Sequence, residues 1–192
     1  ELVKRAQEAG ASRWVVASMP ENLTYLKYIP YDGYDEKTKV PPESQLMELA
    51  ERHLPISPDS SYIDAQYIPP LKAGERGGLL ITAIEKRIAD SYTYFLEIAG
   101  LSPIAFELES IAEARAIIST QRDNTDPAVA VLDIGATRSA FLIYDRQSVQ
   151  LSEALPFSGD MLTELFASSF KLDMQAAEKK KKEIGVNFSS HD

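Results

Sequence analysis

An aspartate, a glycine and two hydroxyl residues, Asp133, Gly135, Thr137 and Ser139, fall within one short stretch of the chain. The chemistry such a group supports is the holding of anionic oxygens. A turn that presents successive backbone N–H groups forms a concavity for phosphate, and a glycine lets the backbone come close. A carboxylate beside that concavity would repel phosphate unless a divalent cation lay between them. The pattern reads as a nucleotide phosphate and Mg2+ site built from Asp133, Gly135, Ala136, Thr137 and Ser139, with Asp133 holding the metal through water. Asp-x-Gly at a hairpin end is also ordinary turn chemistry, because Asp bonds its own backbone and Gly accepts a positive φ.

The elements that must position these residues follow from apolar pattern. Residues 128–134 and 140–144 are short runs rich in β-branched side chains, which predicts two buried strands joined at Gly135. A third strand is expected over 149–155. A helix over 159–170 follows, and then one over 174–184, capped in front by Asp173 and behind by Gly185. Upstream, 14–18 reads as a buried strand and 23–31 as a half-exposed one. A helix introduced by Pro41 and Pro42 runs to His53. Strands at 62–68 and 78–84 precede a helix over 85–99 that stops at Gly100. A strand at 104–108 leads to a helix ending near Thr120, with Ser110 and Glu113 spaced as a capping box. The polar run 121–127 reads as a domain boundary. The order is that of an α/β protein.

Composition removes several classes of function. Twenty basic against twenty-nine acidic residues give a net charge of −9, which argues against nucleic acid, since phosphate backbones need a positive surface. With no cysteine and two distant histidines, His53 and His191, thiolate sites, disulfides and zinc centres are not expected. The absence of a long apolar run or a leader pattern reads as a cytoplasmic protein. The chain opens in what looks like the second half of a helix, as a fragment would.

A three-strand meander followed by a helix, with Asp-x-Gly at the first bend, resembles the opening of a domain in the actin, chaperone and sugar-kinase superfold. Closer likeness is to the PilM family, FtsA-like type IV pilus assembly proteins. It is carried by 15–20 (Val-Val-Ala-Ser-Met-Pro), 99–104 (Ala-Gly-Leu-Ser-Pro-Ile) before Glu109, 133–137 (Asp-Ile-Gly-Ala-Thr), and 157–159 (Phe-Ser-Gly) before Leu162-Thr163-Glu164. The resemblance implies a fragment of an actin-like, ribonuclease H-like fold. Residues 1–20 would be part of subdomain 1A, 21–100 a β-α-β-β-α 1C insert, 101–127 the end of 1A with a linker, and 128–192 the start of 2A. In FtsA-like members a helix bearing Glu-x-x-Lys contacts adenosine, which would give that role to Glu178 and Lys181. The four-lysine run 179–182 also reads as a solvated helix end that complements the helix dipole.

The same resemblance implies ATP and Mg2+ as cofactors of the intact parent. It also implies a groove between 1A and 1C for the cytoplasmic N-terminal peptide of a PilN-like inner-membrane partner, so that the protein meets the inner membrane through that partner. Tyr25, Tyr28, Tyr62 and Tyr67, with Tyr31, could line such a groove. Tyrosines so placed are more often cross-strand pairs on a sheet face. The expected function is an ATP-binding scaffold, at most a slow ATPase and inactive as a fragment. The alternatives are a sugar-kinase-like phosphoryl transferase and an FtsA-like cell-division protein.

Overall fold

The computed structural model describes residues 2–33, 40–70, 74–118 and 126–185. The order of elements is α1 (Leu2–Glu8), β1 (Trp14–Met19), β2 (Thr24–Pro30), α2 (Glu43–His53), β3 (Ser61–Ile68), β4 (Gly78–Glu85), α3 (Lys86–Ile98), β5 (Ser102–Leu108), α4 (Glu109–Ile117), β6 (Val129–Ile134), β7 (Ser139–Asp145), β8 (Ser148–Leu155), α5 (Gly159–Phe170) and α6 (Met174–Ile184). Three sheets result, ordered β1-β5, β2-β4-β3 and β6-β7-β8. The chain divides into two compact units, Glu1–Val131 with Leu142–Glu153, and Leu132–Phe141 with Ala154–Asp192.

In the first unit the β2-β4-β3 sheet is antiparallel and carries a real apolar core. Strand alternation puts Tyr25, Ile29, Ile63, Ala65, Leu79, Ile81 and Ala83 on one face, where α2 lays Leu46, Leu49, Ala50 and Leu54 against them. Leu79, Ile81 and Ala50 are completely buried. Helix α3 ends as its sequence dictates: Gly100 takes φ +81, its N–H donates to Glu97 O, and the Leu101 N–H donates to Leu96 O, which closes the last turn. A second cluster joins Ala114 and Ile118 at the end of α4 to Leu142 and Val149.

Several expectations are corrected. Ser110 and Glu113 do not form a capping box: α4 starts at Glu109 from Leu108, with no side-chain cap. The Ser110 hydroxyl is buried without a hydrogen-bond partner among the described residues. The expected end of that helix near Thr120, most of the 121–127 linker and the middle of the 32–40 loop lie outside the described residues. Strands β1 and β6 are not buried. Trp14 and Val16 in β1, and Leu132 and Ile134 in β6, are each more than half exposed. Their apolar sequence fits strand propensity, but burial depends on what covers a face.

Candidate functional site: the loop between β6 and β7

The second unit is assembled around the loop 135–138, which turns back on itself through a hydrogen bond from Gly135 N–H to Arg138 O (2.9 Å). Gly135 has no positive φ. A side chain is barred there because a Cβ would lie 2.6 Å from the Arg138 carbonyl oxygen, which is backbone and cannot give way. The glycine makes room for the loop's own turn.

Helix α5 grips this loop from one side. Its first two amides reach back into it, Gly159 N–H donating to Gly135 O (2.9 Å) and Asp160 N–H to Ala136 O (2.8 Å). The next two are satisfied by the cap residue, Met161 N–H donating to Ser158 Oγ and Leu162 N–H to Ser158 O. All four amides at the helix N-terminus therefore serve the protein itself.

A consequence follows from peptide geometry. In a planar trans peptide the C=O and the following N–H point in opposite directions. With the Gly135 and Ala136 carbonyls turned toward α5, the Ala136 and Thr137 amides are directed away from it. Neither amide has a hydrogen-bond partner among the described residues, and both residues are exposed, as is Asp133. Two successive outward amides, following an exposed carboxylate in the chain, are a donor set of the kind that holds anionic oxygens. No group of three metal-ligating side chains occurs among the described residues, so a divalent ion here would keep water and ligand oxygens in its shell, as Mg2+ does.

Ser139 departs from the expected phosphate set. It is 1% exposed and its Oγ, with no hydrogen-bond partner among the described residues, lies beneath the loop's surface. A ligand on the outer surface does not reach it.

Glu178 and Lys181 are brought together, but into a network within the unit rather than a display for solvent. The Lys181 ammonium donates to Gly159 O (2.9 Å) and Thr163 Oγ1 (2.8 Å) and pairs with Glu178 Oε2 (2.5 Å). Its three donors are used. Thr163 Oγ1 donates to Glu178 Oε2 (2.5 Å), and Lys182 reaches Glu178 Oε1 (3.2 Å). The hydrogen bond from Lys181, then those from Thr163 and Lys182, hold the Glu178 carboxyl at about 2 against an ordinary 4.5. Thr163, 3% exposed, was missed by sequence reasoning, and its only signal is its position one turn after the Ser158-Gly159 start of α5.

The tyrosines do not form one set. Tyr25 and Tyr67 lie on the α2 face of the β2-β4-β3 sheet, opposite Ala83 and Leu79 in β4, whereas Tyr28 and Tyr62 lie on the other face, opposite Leu80 and Ile84. Only Tyr62 of the four lines the 320 Å3 cavity in the first unit. That cavity has an apolar wall from Met19, Ile84, Phe106 and Leu108, and carboxylates at Asp64, Asp90 and Glu107. The Tyr62 hydroxyl donates to Asp90 (3.0 Å), a bond that raises the phenol pKa above its ordinary value, with the charge of Asp90 and desolvation adding to it.

The family model for the type IV pilus assembly protein PilM matches residues 2–190. The chain belongs to this family. Among solved structures it is similar to a chain of a PilM-PilN type IV pilus biogenesis complex, with 25% identity and TM-score 0.74, covering 95% of this chain and 55% of that one. It is also similar, at 12% identity and TM-score 0.50, to the cytoplasmic domain of EpsL, an inner membrane component of the type II secretion system of Vibrio cholerae, covering 89% of this chain and 61% of that one. The chain thus spans little more than half the length of the structures it matches. The α/β fold is part of an actin-like fold, as the sequence predicted. Membership of the family places the chain with pilus assembly rather than with sugar kinases or cell-division proteins.

Proposed function

We propose that the chain carries the phosphate end of an ATP site and a peptide groove, and that the protein it represents is a cytoplasmic scaffold of type IV pilus assembly. The observation that carries the nucleotide reading is the pair of unpartnered, outward amides of Ala136 and Thr137 beside Asp133. These amides and the Thr137 hydroxyl would hold phosphate oxygens, Asp133 would hold Mg2+ through water, and Gly135 and Ser139 would shape the loop beneath. Bound Mg2+ would supply charge neutralisation between carboxylate and phosphate. Glu178 keeps acceptor capacity for a ribose hydroxyl, since three donors do not fill a carboxylate's acceptor sites. Residues 1–20 and 101–127 are assigned to subdomain 1A, 21–100 to 1C and 128–192 to 2A.

The cavity in the first unit supports the partner reading. An apolar wall with carboxylates at Asp64 and Asp90, Glu107 being paired with Arg115, suits an extended peptide that anchors an apolar side chain and offers a basic one. The cytoplasmic segment of a PilN-like inner-membrane protein is the proposed occupant. No helix among the described residues is long and apolar enough to cross a membrane. Membrane association through that partner is part of the proposal. The nucleotide's role is to set conformation, with any hydrolysis slow and regulatory.

The test is calorimetric titration with ATP and Mg2+, followed by a peptide of the partner's cytoplasmic N-terminus. Asp133→Ala removes a charge-assisted contact and should weaken ATP binding by about 10- to 100-fold, the equivalent of about 1.5–3 kcal/mol. Unchanged ATP affinity would remove Asp133 from the site. Peptide binding that tightens with ATP would demonstrate the coupling a scaffold requires.

A further inference from the structure

We infer that Lys181 and Thr163 are positioning residues for the 135–138 loop, acting through the first turn of α5. This rests on the phosphate reading of the loop and deepens it.

Gly159 is the connecting residue. Its N–H holds the loop at Gly135 O, and its own C=O is held by the Lys181 ammonium, with Thr163 Oγ1 also within 3.0 Å of that oxygen. A hydroxyl has one proton to give. Because Lys181 already serves Gly159 O, the Thr163 proton goes to Glu178, the shorter contact. The order of connection is Glu178, then Lys181 and Thr163, then Gly159, then the Gly135 and Ala136 carbonyls. Each contact in this series is at 3.0 Å or less.

The direction of the Ala136 and Thr137 amides depends on the last of these links. If the first turn of α5 shifts, the two carbonyls turn, and the amides on the same peptide planes turn with them. Lys181 fixes that turn from α6, and Thr163, within α5, holds the Lys181 ammonium against it. With its three donors used within the unit, Lys181 acts on the loop, and through it on any phosphate placed there.

The experiment compares the wild-type chain with Lys181→Met, Thr163→Val and, as a control outside the network, Lys179→Met, whose side chain is exposed and pairs with Glu183. Two readouts are used: amide hydrogen exchange of Gly159 and Asp160 without ligand, and binding of ATP and of inorganic tripolyphosphate with Mg2+. Lys181→Met and Thr163→Val should each speed exchange at Gly159 and Asp160 by about tenfold, since the local opening that exposes them becomes easier. Both should weaken ATP and tripolyphosphate, while Lys179→Met changes neither readout. Unchanged exchange at Gly159 and Asp160 would overturn the inference, leaving the network as a device that only secures α6. A loss confined to ATP in both variants would also overturn it, because the phosphate contacts of the loop would then be untouched. Should the wild-type chain bind neither ligand while exchange responds as expected, the positioning role stands and the phosphate reading of the loop falls.

Discussion

The β2-β4-β3 sheet with α2 and the loop-α5-α6 assembly are held together by different physics. In the first, the buried residues are Ile29, Leu54, Leu79, Ile81, Ala50 and Ala83, and apolar burial against one helix is sufficient reason for the packing. In the second, the buried residues are Ser139, Ser158, Thr163 and Ala177, three of them hydroxyls. There the cohesion is a set of short hydrogen bonds and one carboxylate-ammonium pair. Apolar burial is non-directional and tolerates neighbours of similar volume. Hydrogen bonds fix direction, which is what a cradle of aimed amides needs, and they make the assembly sensitive to the loss of single atoms.

The contrast can be broken first at its apolar end. Leu79 is fully exposed to its core partners and to no solvent, so Leu79→Ala should cost about 2–5 kcal/mol, read as a lower denaturant midpoint. Amide exchange in the loop and in α5 should stay as it was, because the loss belongs to the other unit. At the polar end the expected cost is smaller. Ser158→Ala removes the cap of α5 and should cost about 1 kcal/mol, with faster exchange at Met161. If it left Met161 exchange unchanged, the cap would not be what fixes that helix start.

A third substitution tests a place that both principles leave strained. The β7-β8 turn holds Arg146 at φ 51 and Gln147 at φ 58, a left-handed pair where Asn-Gly would be at ease. Gln147→Gly should raise stability by up to about 1 kcal/mol in a denaturant titration. A loss would show that the Gln147 side chain contributes more than its backbone costs.

Legibility in the sequence followed the range of the forces involved. The bounds of α5 and α6 were readable because their ends are decided by neighbours in the chain: Asp173 accepts from Ala176 N–H, and Gly185 takes a positive φ. Gly135, Ala136 and Thr137 were readable as a loop following the strand that carries Asp133 for the same reason. The burial of Ser139 was not, since it depends on what lies over the strand. The exposure of Trp14 and Leu132 was hidden for the converse reason, an apolar strand looking the same with or without cover. Alternation within a strand places Tyr25 and Tyr28 on opposite faces, but relating either to Tyr62 or Tyr67 needs the β2-β4-β3 register, which is a tertiary fact. Thr163 was invisible because its role arises from α6, a separate helix.

The smallest effect at working pH belongs to Glu178, and its sign separates the two regions. Its carboxyl is held at about 2 in the fold against an ordinary 4.5, chiefly by the Lys181 hydrogen bond. A depressed folded value means the linked stability is fully present above the ordinary value and is lost as pH falls through the folded one. Protection factors in α6 and at Gly159, taken relative to unprotected amides at the same pH, should therefore be flat between about pH 5 and 8 and fall only below the ordinary carboxylate range. The core around Leu79 and Ile81 has no such group in its cluster, so β4 should keep its protection until the unit unfolds as a whole. A carboxyl carbon titration by NMR supplies the check. In Lys181→Met the Glu178 carboxyl should titrate closer to 4.5, and the acid sensitivity of α6 should move up with it. If β4 and α6 lost protection together at one pH in the wild-type chain, the two regions would be one cooperative structure, and the distinction between apolar and polar cohesion would have no consequence for how they open.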